Sequence, residues 1–218
     1  MVRKGLLACG ILSSVLYVAT LVLGARRWEG YSSTSQTVSE LFAIGAPSAG
    51  LVVPLFIAYS LLVFAFGLGV WMSADGQKAL RWTAVGLIGK EILGLVVTLF
   101  FPMHMRGIEG TLTDTMHATL TFIGVLFMLL AIASAARVFG KGFRRYSILT
   151  ILLLLVGGTF AGLDAPRIES NLPTPFAGVT ERTNILAYML WVVVLAVLLL
   201  RRNRAADAAA SDNASLAL

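Results

Sequence analysis

The stretch LVVPLFIAYSLLVFAFGLGVWM, Leu51 to Met72, runs for 22 residues without one charged side chain. A helix rises about 1.5 Å per residue, so ~20 apolar residues cross the ~30 Å hydrocarbon layer of a bilayer. The other spanning solution is a closed barrel, whose strands read as short alternating segments. No such alternation is present, so the stretch reads as a membrane-spanning helix.

Five more apolar runs follow the same pattern, and together they predict six spans. They are Gly5–Ala25, Leu51–Met72, Thr83–Phe101, Asp114–Ala136, Ser147–Leu163 and Asn184–Leu200. The fifth and sixth are the shortest, and Gly157-Gly158 loosens the centre of the fifth. Composition agrees: 58% of the 218 residues are hydrophobic and only 13% charged, against about 25% charged in a soluble domain. The expected architecture is an all-α polytopic transmembrane bundle, a single unit over residues 1–204. Residues 205–218, rich in Ala, Ser, Asp and Asn, are expected to form a disordered cytoplasmic tail.

Orientation follows from the basic residues. Arg3, Lys4, Lys78, Arg81, Arg137, Lys141, Arg144, Arg145, Arg201, Arg202 and Arg204 lie on one side, eleven in all. Arg26, Arg27, Arg106, Arg167 and Arg182 lie on the other, and Lys90 falls inside a span. Both termini are therefore expected in the cytoplasm. The net charge of +6 is assigned to helix ends and lipid headgroups, not to nucleic acid. The bilayer is the implied partner; no protein partner and no cofactor can be read from the sequence.

Cys9 is the only cysteine, which excludes an intramolecular disulfide. The apolar stretch before it is too short for a lipoprotein signal, whose core needs about 7–15 residues. Gly24-Ala25-Arg26-Arg27 offers no convincing cleavage site, and Cys9 reads as a packing residue in the first span. The glycine pairs at 67/69, 86/89 and 157/158 read as close helix packing; no phosphate-binding or dinucleotide fingerprint is present. A basic-aromatic turn at Gly76–Trp82 is echoed at Gly140–Tyr146. Arg81 and Arg145 are 64 residues apart, as are Pro102 and Pro166, a spacing that two related hairpins would produce.

The three outer loops, residues 26–50, 102–113 and 164–183, are longer than the cytoplasmic turns. Length on one face marks a functional surface. Seven of the eleven acids fall on this outer side: Glu29, Glu40, Glu109, Asp114, Asp164, Glu169 and Glu181. His104 and His117 join them. Thr37-Val38-Ser39-Glu40 fits a capping box ahead of a short interfacial or re-entrant helix ending near Gly45-Ala46-Pro47. Asp114 and Glu181 begin spans, where the helix dipole favours an acid. Asp164 sits at the opposite kind of helix end, and Arg182 has the reverse misfit. An Asp164–Arg182 ion pair would relieve both, with Arg167 as the competing partner.

Asp114 and His117 are three apart and share a helix face. That spacing suits two metal ligands, an oriented general base, or a structural polar network. A metal site would need a further ligand, with His104, Glu40 and Asp164 available. Lys90 and Glu91 lie near the centre of the third span. Adjacent helical residues point about 100° apart, so the two are not expected simply to neutralise each other. Lys90 would snorkel toward the cytoplasmic interface. Glu91 would then need an interior partner, as a buried hydrogen bond or as part of a proton or ion path.

Several motifs together resemble the prokaryotic membrane family called domain of unknown function 998. They are Trp28-Glu29-Gly30-Tyr31, Val38-Ser39-Glu40-Leu41 with Ala43–Pro47, Phe101–Gly107, Thr113–His117 and Glu181–Ile185. The resemblance extends from about Lys4 to Arg202 and implies a multi-span bundle in a bacterial inner membrane. It carries no catalytic assignment. The polar cluster it marks with the charge argument comprises Ser39, Glu40, His104, Arg106, Asp114, His117, Asp164 and Arg182. Three function classes remain open at this point. They are a binding, sensing or accessory protein; a lipid-directed hydrolase with His117, Asp114 and Glu40 as catalytic candidates; and a small transporter using Glu91.

Overall fold

A computed structural model describes residues 2–108 and 110–216, with backbone alone at 206 and 208–216; Glu109 lies outside the described residues. Six helices follow in chain order: α1 Val2–Arg27, α2 Ala49–Met72, α3 Lys78–Phe100, α4 Leu112–Ala135, α5 Lys141–Glu169 and α6 Ala177–Leu216. All six contain a stretch long and apolar enough to cross a membrane, as the sequence predicts. No strand occurs among the described residues; Ile44 and His104 form one isolated bridge. The chain is an all-α integral membrane protein.

The spans are longer than the apolar runs that reveal them. α5 begins six residues before Ser147 and ends six after Leu163, giving 29 residues, or ~44 Å of helix. The added turns carry the charges of Lys141, Arg144, Arg145, Asp164, Arg167 and Glu169, so hydropathy gives no signal there while backbone hydrogen bonding continues. α6 likewise starts at Ala177 and continues to Leu216. The segment read from sequence as an irregular tail is thus helical through 216; its alanines have the highest helix propensity. Lys4 at the start of α1 and Asp207 in that extension pair at 2.7 Å, so the two ends of the chain meet on one face.

The main core gathers Leu7, Phe66, Leu80, Leu87, Ile132, Trp191 and Leu195 from α1, α2, α3, α4 and α6, all below 1% exposure. Glycine sets the closest helix contacts. A methyl on Gly86 would come within 2.6 Å of the Phe127 carbonyl oxygen, and one on Gly69 within 2.9 Å of Leu6 Cβ. Cys9 is partly buried against this core and its thiol donates to the Gly5 carbonyl at 3.4 Å. Each half of the 64-residue echo opens a helix, α3 at Lys78 and α5 at Lys141.

α5 is the loosely held member. Leu149, Leu152, Leu155, Val156, Phe160 and Leu163 are all about half or more exposed, which suits contact with lipid tails. It packs on α6, while a wide gap separates it from α4. The face carrying the three longer loops sits at the mouth of this gap. A smaller core of Leu21, Val38, Leu41, Phe42, Val52 and Phe56 supports that face. Above it, Ser39–Phe42 forms a short 3₁₀ turn. The chain reverses at Gly45, whose φ of +85° is in the region that favours glycine.

Candidate functional site

The Thr37–Glu40 capping box forms, but around the 3₁₀ turn. The Glu40 carboxylate accepts from the Thr37 amide at 2.7 Å and hydroxyl at 3.0 Å. The Glu40 amide donates back to the Thr37 hydroxyl at 3.4 Å. The same carboxylate, 1% exposed, receives a bidentate pair from Arg106: Nε at 2.6 Å and Nη2 at 2.9 Å. The planar guanidinium suits this two-point recognition. Its remaining donors reach Thr174 Oγ1 at 2.7 Å and the Ser35 carbonyl at 2.8 Å. Arg106 thus knots the three long loops together. Ser35 and Thr174 are partners that sequence could not offer, one being a backbone carbonyl and the other an ordinary loop threonine.

Asp114 turns back toward its own helix. It completes a capping box with Thr111 at the start of α4, accepting from the Thr111 amide at 3.0 Å and hydroxyl at 2.7 Å. His104 then adds its amide at 2.8 Å and Nδ1 at 2.9 Å. The carboxylate therefore orients His104, not the His117 on its own helix face.

His117, 8% exposed, finds other partners. Its Nδ1 lies 2.9 Å from the Phe101 carbonyl oxygen and its Nε2 lies 3.4 Å from Ser39 Oγ. A carbonyl can only accept, so Nδ1 carries the proton. In the neutral ring Nε2 then accepts from the Ser39 hydroxyl. Among the described residues no three His, Cys, Asp or Glu side chains gather to hold a metal. The Asp114/His117 spacing that suggested one is divided between two separate hydrogen-bond sets.

The expected Asp164–Arg182 pair does not form. α5 continues to Glu169, so Asp164 is not at a helix end and the misfit that motivated the pair is absent. Arg182 lies inside α6, where Nη1 donates to the carbonyls of Ser33 at 2.9 Å, Gln36 at 2.8 Å and Gly178 at 3.1 Å. Its Nη2 reaches the Tyr31 hydroxyl, which donates to the Thr37 carbonyl at 2.7 Å. Partial burial pushes the Tyr31 hydroxyl up to about 12, against the pull of Arg182. Arg167 instead donates to the Pro173 carbonyl at 3.1 and 2.9 Å. Glu181 is bonded to the Val38 amide.

Lys90 and Glu91 correct a second expectation: they pair directly at 2.6 Å. The lysine stem folds back across the 100° between them instead of snorkelling away. Tyr59 of α2 fixes the arrangement, accepting from Lys90 Nζ at 3.2 Å and donating to Glu91 Oε1 at 3.3 Å. The ammonium also lies 5.1 Å from the Tyr59 ring centre and 5.6 Å from that of Tyr188, within cation–π range.

Two cavities connect these groups. The larger, about 680 Å³, is the α4–α5 gap. His104, Arg106, Asp114 and Asp164 border its long-loop end, and Phe122, Leu126, Leu129 and Leu155 form its membrane-depth walls. The smaller, about 300 Å³, reaches Lys90 and Glu91 inside the bundle. Ser39, His117, Thr121, Gly158 and Glu181 line both.

Residues 11–198 match the family model described as protein of unknown function (DUF998). The chain belongs to the DUF998 family. The match reaches all six helices, and of the motifs that carried the resemblance, those around Ser39, His104, Asp114 and Glu181 contribute to the cavity walls. No curated protein and no solved structure matches the chain.

Proposed function

We propose that this DUF998 protein binds a membrane amphiphile in the α4–α5 cleft, in a receptor or accessory role. One observation carries the reading. A cleft of about 680 Å³ is polar at the long-loop end and apolar at membrane depth, the profile of a molecule with a polar head and a hydrocarbon chain. Its size falls within the ~300–1,000 Å³ common for small-molecule sites. Most polar groups at its mouth already satisfy one another, which favours a pre-organised binding surface. The eleven-to-five distribution of basic residues supports placing this mouth outside the cytoplasm, and the family resemblance supports a bacterial inner membrane. Basic helix ends on the opposite face suit lipid headgroups better than nucleic acid.

The test is native mass spectrometry of the protein purified in a mild detergent. A lipid-sized adduct is expected. It should disappear in Gly158→Phe, because a side chain at Gly158 meets nothing within 4 Å and projects into the cleft. Equal adduct levels in both proteins would overturn the reading.

A second reading, a lipid-directed hydrolase, draws on Ser39 Oγ and His117 Nε2 at 3.4 Å with the Phe101 carbonyl orienting the ring. Nucleophile, base and orienter have the required order. Against it, the Val38 amide beside Ser39 is engaged by Glu181 and is not free to stabilise an oxyanion. A fluorophosphonate probe decides: labelling at Ser39 that vanishes in His117→Ala supports hydrolysis, and an unlabelled parent chain removes it.

A further inference from the structure

The smaller cavity contains an unfinished hydrogen-bond network. Glu91 Oε1 accepts from Lys90 at 2.6 Å and from Tyr59 at 3.3 Å. Among the described residues, Glu91 Oε2 and the Tyr188 hydroxyl are buried with no partner. Such groups are uncommon, because each forfeits about 1–3 kcal/mol of desolvation. Both residues line the 300 Å³ space, and Glu91 itself is only 1% exposed.

Two glycines keep that space open. Beyond the backbone of its own helix, a methyl on Gly94 would meet only Glu91 Oε2, at 3.8 Å, and one on the buried Gly124 would meet nothing within 4 Å. The cavity therefore extends from the unpartnered carboxylate oxygen, and its remaining walls include Phe56, Leu120, Met128 and Leu154.

Three constraints define the occupant. The charges of Lys90 and Glu91 cancel, and the other carboxylate on the wall, Glu181, is already bonded to the Val38 amide at the long-loop end. An added ion beside Lys90 and Glu91 would go uncompensated at membrane depth, so the occupant is neutral. A carboxylate oxygen only accepts, so the occupant donates. The remaining walls are largely apolar, so the rest of it is hydrocarbon. One hydroxyl meets both polar requirements, donating to Glu91 Oε2 and accepting from Tyr188. From these constraints we infer that the cavity holds the hydroxyl end of a neutral long-chain alcohol, bonded to Glu91 Oε2 and the Tyr188 hydroxyl. Its chain passes Thr121, Val125 and Gly158, which also line the larger cleft. The inference rests on the cleft being a ligand site and names the ligand's chemical class.

Trp191 provides the readout, since it is buried and its ring stacks on Tyr188 at 6.2 Å. In a chain with Trp28, Trp71 and Trp82 replaced by Phe, quenching is titrated in nanodiscs with octadecanol brominated beside the hydroxyl. The matching methyl ether, which accepts but cannot donate, is titrated in parallel. The alcohol should bind at least about tenfold tighter than the ether, roughly 1.4 kcal/mol. Tyr188→Phe should weaken alcohol and ether alike, since both accept from that hydroxyl, and leave the preference set by Glu91 Oε2 in place. Gly124→Leu, which adds bulk where a methyl meets nothing within 4 Å, should abolish alcohol quenching. Equal quenching by alcohol and ether would overturn the hydroxyl site and leave the cleft reading intact. No quenching by either, with the lipid adduct retained, would likewise overturn the hydroxyl site alone. No quenching with no adduct would defeat both.

Discussion

Glu40→Ala tests the knot that organises the long-loop face. The carboxylate receives five donors: Arg106 Nε at 2.6 Å and Nη2 at 2.9 Å, the Thr37 amide at 2.7 Å and hydroxyl at 3.0 Å, and Gln36 Nε2 at 3.4 Å. Arg106 is only 17% exposed and Glu40 1%, so truncation leaves a guanidinium largely shielded from water. Breaking such a pair costs about 3–5 kcal/mol. For a chain of this size that corresponds to a fall in Tm of roughly 6–20 °C. Circular dichroism melts in detergent read the shift, and Glu40→Leu combined with Arg106→Leu provides the comparison. Removing both charges should be less damaging than the sum of the single changes, because no charge is stranded. A Glu40→Ala melt within about 2 °C of the parent, or strict additivity in the double variant, would refute the reasoning.

Asp114→Asn should cost about 1 kcal/mol through the weakened cap and should release His104. Faster amide exchange confined to the first turn of α4 and residue 104 is the signature, and unchanged exchange there contradicts it. Gly86→Leu should destabilise the α3–α4 contact by more than about 3 kcal/mol, since a methyl alone already meets the Phe127 carbonyl oxygen at 2.6 Å; an unshifted melt would show that the helices are not so close. The raised Tyr31 hydroxyl favours the folded state while protonated. Its contribution is fully present below about pH 10 and is lost as pH rises toward about 12. The parent should lose more stability than Tyr31→Phe across that window, and parallel pH–Tm curves would oppose the assignment. Single cysteines at Ser33 and Gly142, in a Cys9→Ser background, should differ in labelling by an impermeant maleimide. Ser33 reacts from outside in intact cells and Gly142 does not, if the basic side faces the cytoplasm.

The spans were legible because bilayer crossing demands a long uncharged run, and Leu51–Met72 meets that demand by itself. Their ends were not, since α5 adds polar turns that hydrogen-bond as well as apolar ones. That single shift removed the reason for an Asp164–Arg182 pair. Glu40 and Arg106 were both recognisable as site residues, but their mutual contact spans 66 positions and no local pattern encodes it. His117 shows the same limit more sharply. Its i−3 neighbour Asp114 was the visible partner, whereas the actual one is the backbone carbonyl of Phe101, a group every residue possesses. For Lys90 and Glu91 the missing element was Tyr59, one helix away.

The Arg106 knot also imposes an order on biogenesis. Thr174 enters it from 139 residues beyond Ser35, whose carbonyl it shares with Arg106. A nascent chain can insert α1 through α4 and bring Glu40 to Arg106 while α5 and α6 are still in the ribosome. Thr174, and the Arg182 contacts to Ser33 and Gln36, arrive only with the last hairpin. Until then the first long loop has half its anchors, and the mouth of the cleft lacks one wall. The mouth of the cleft is thus the last part of the molecule to be completed, and under the proposed amphiphile-binding role loading follows insertion of the last hairpin.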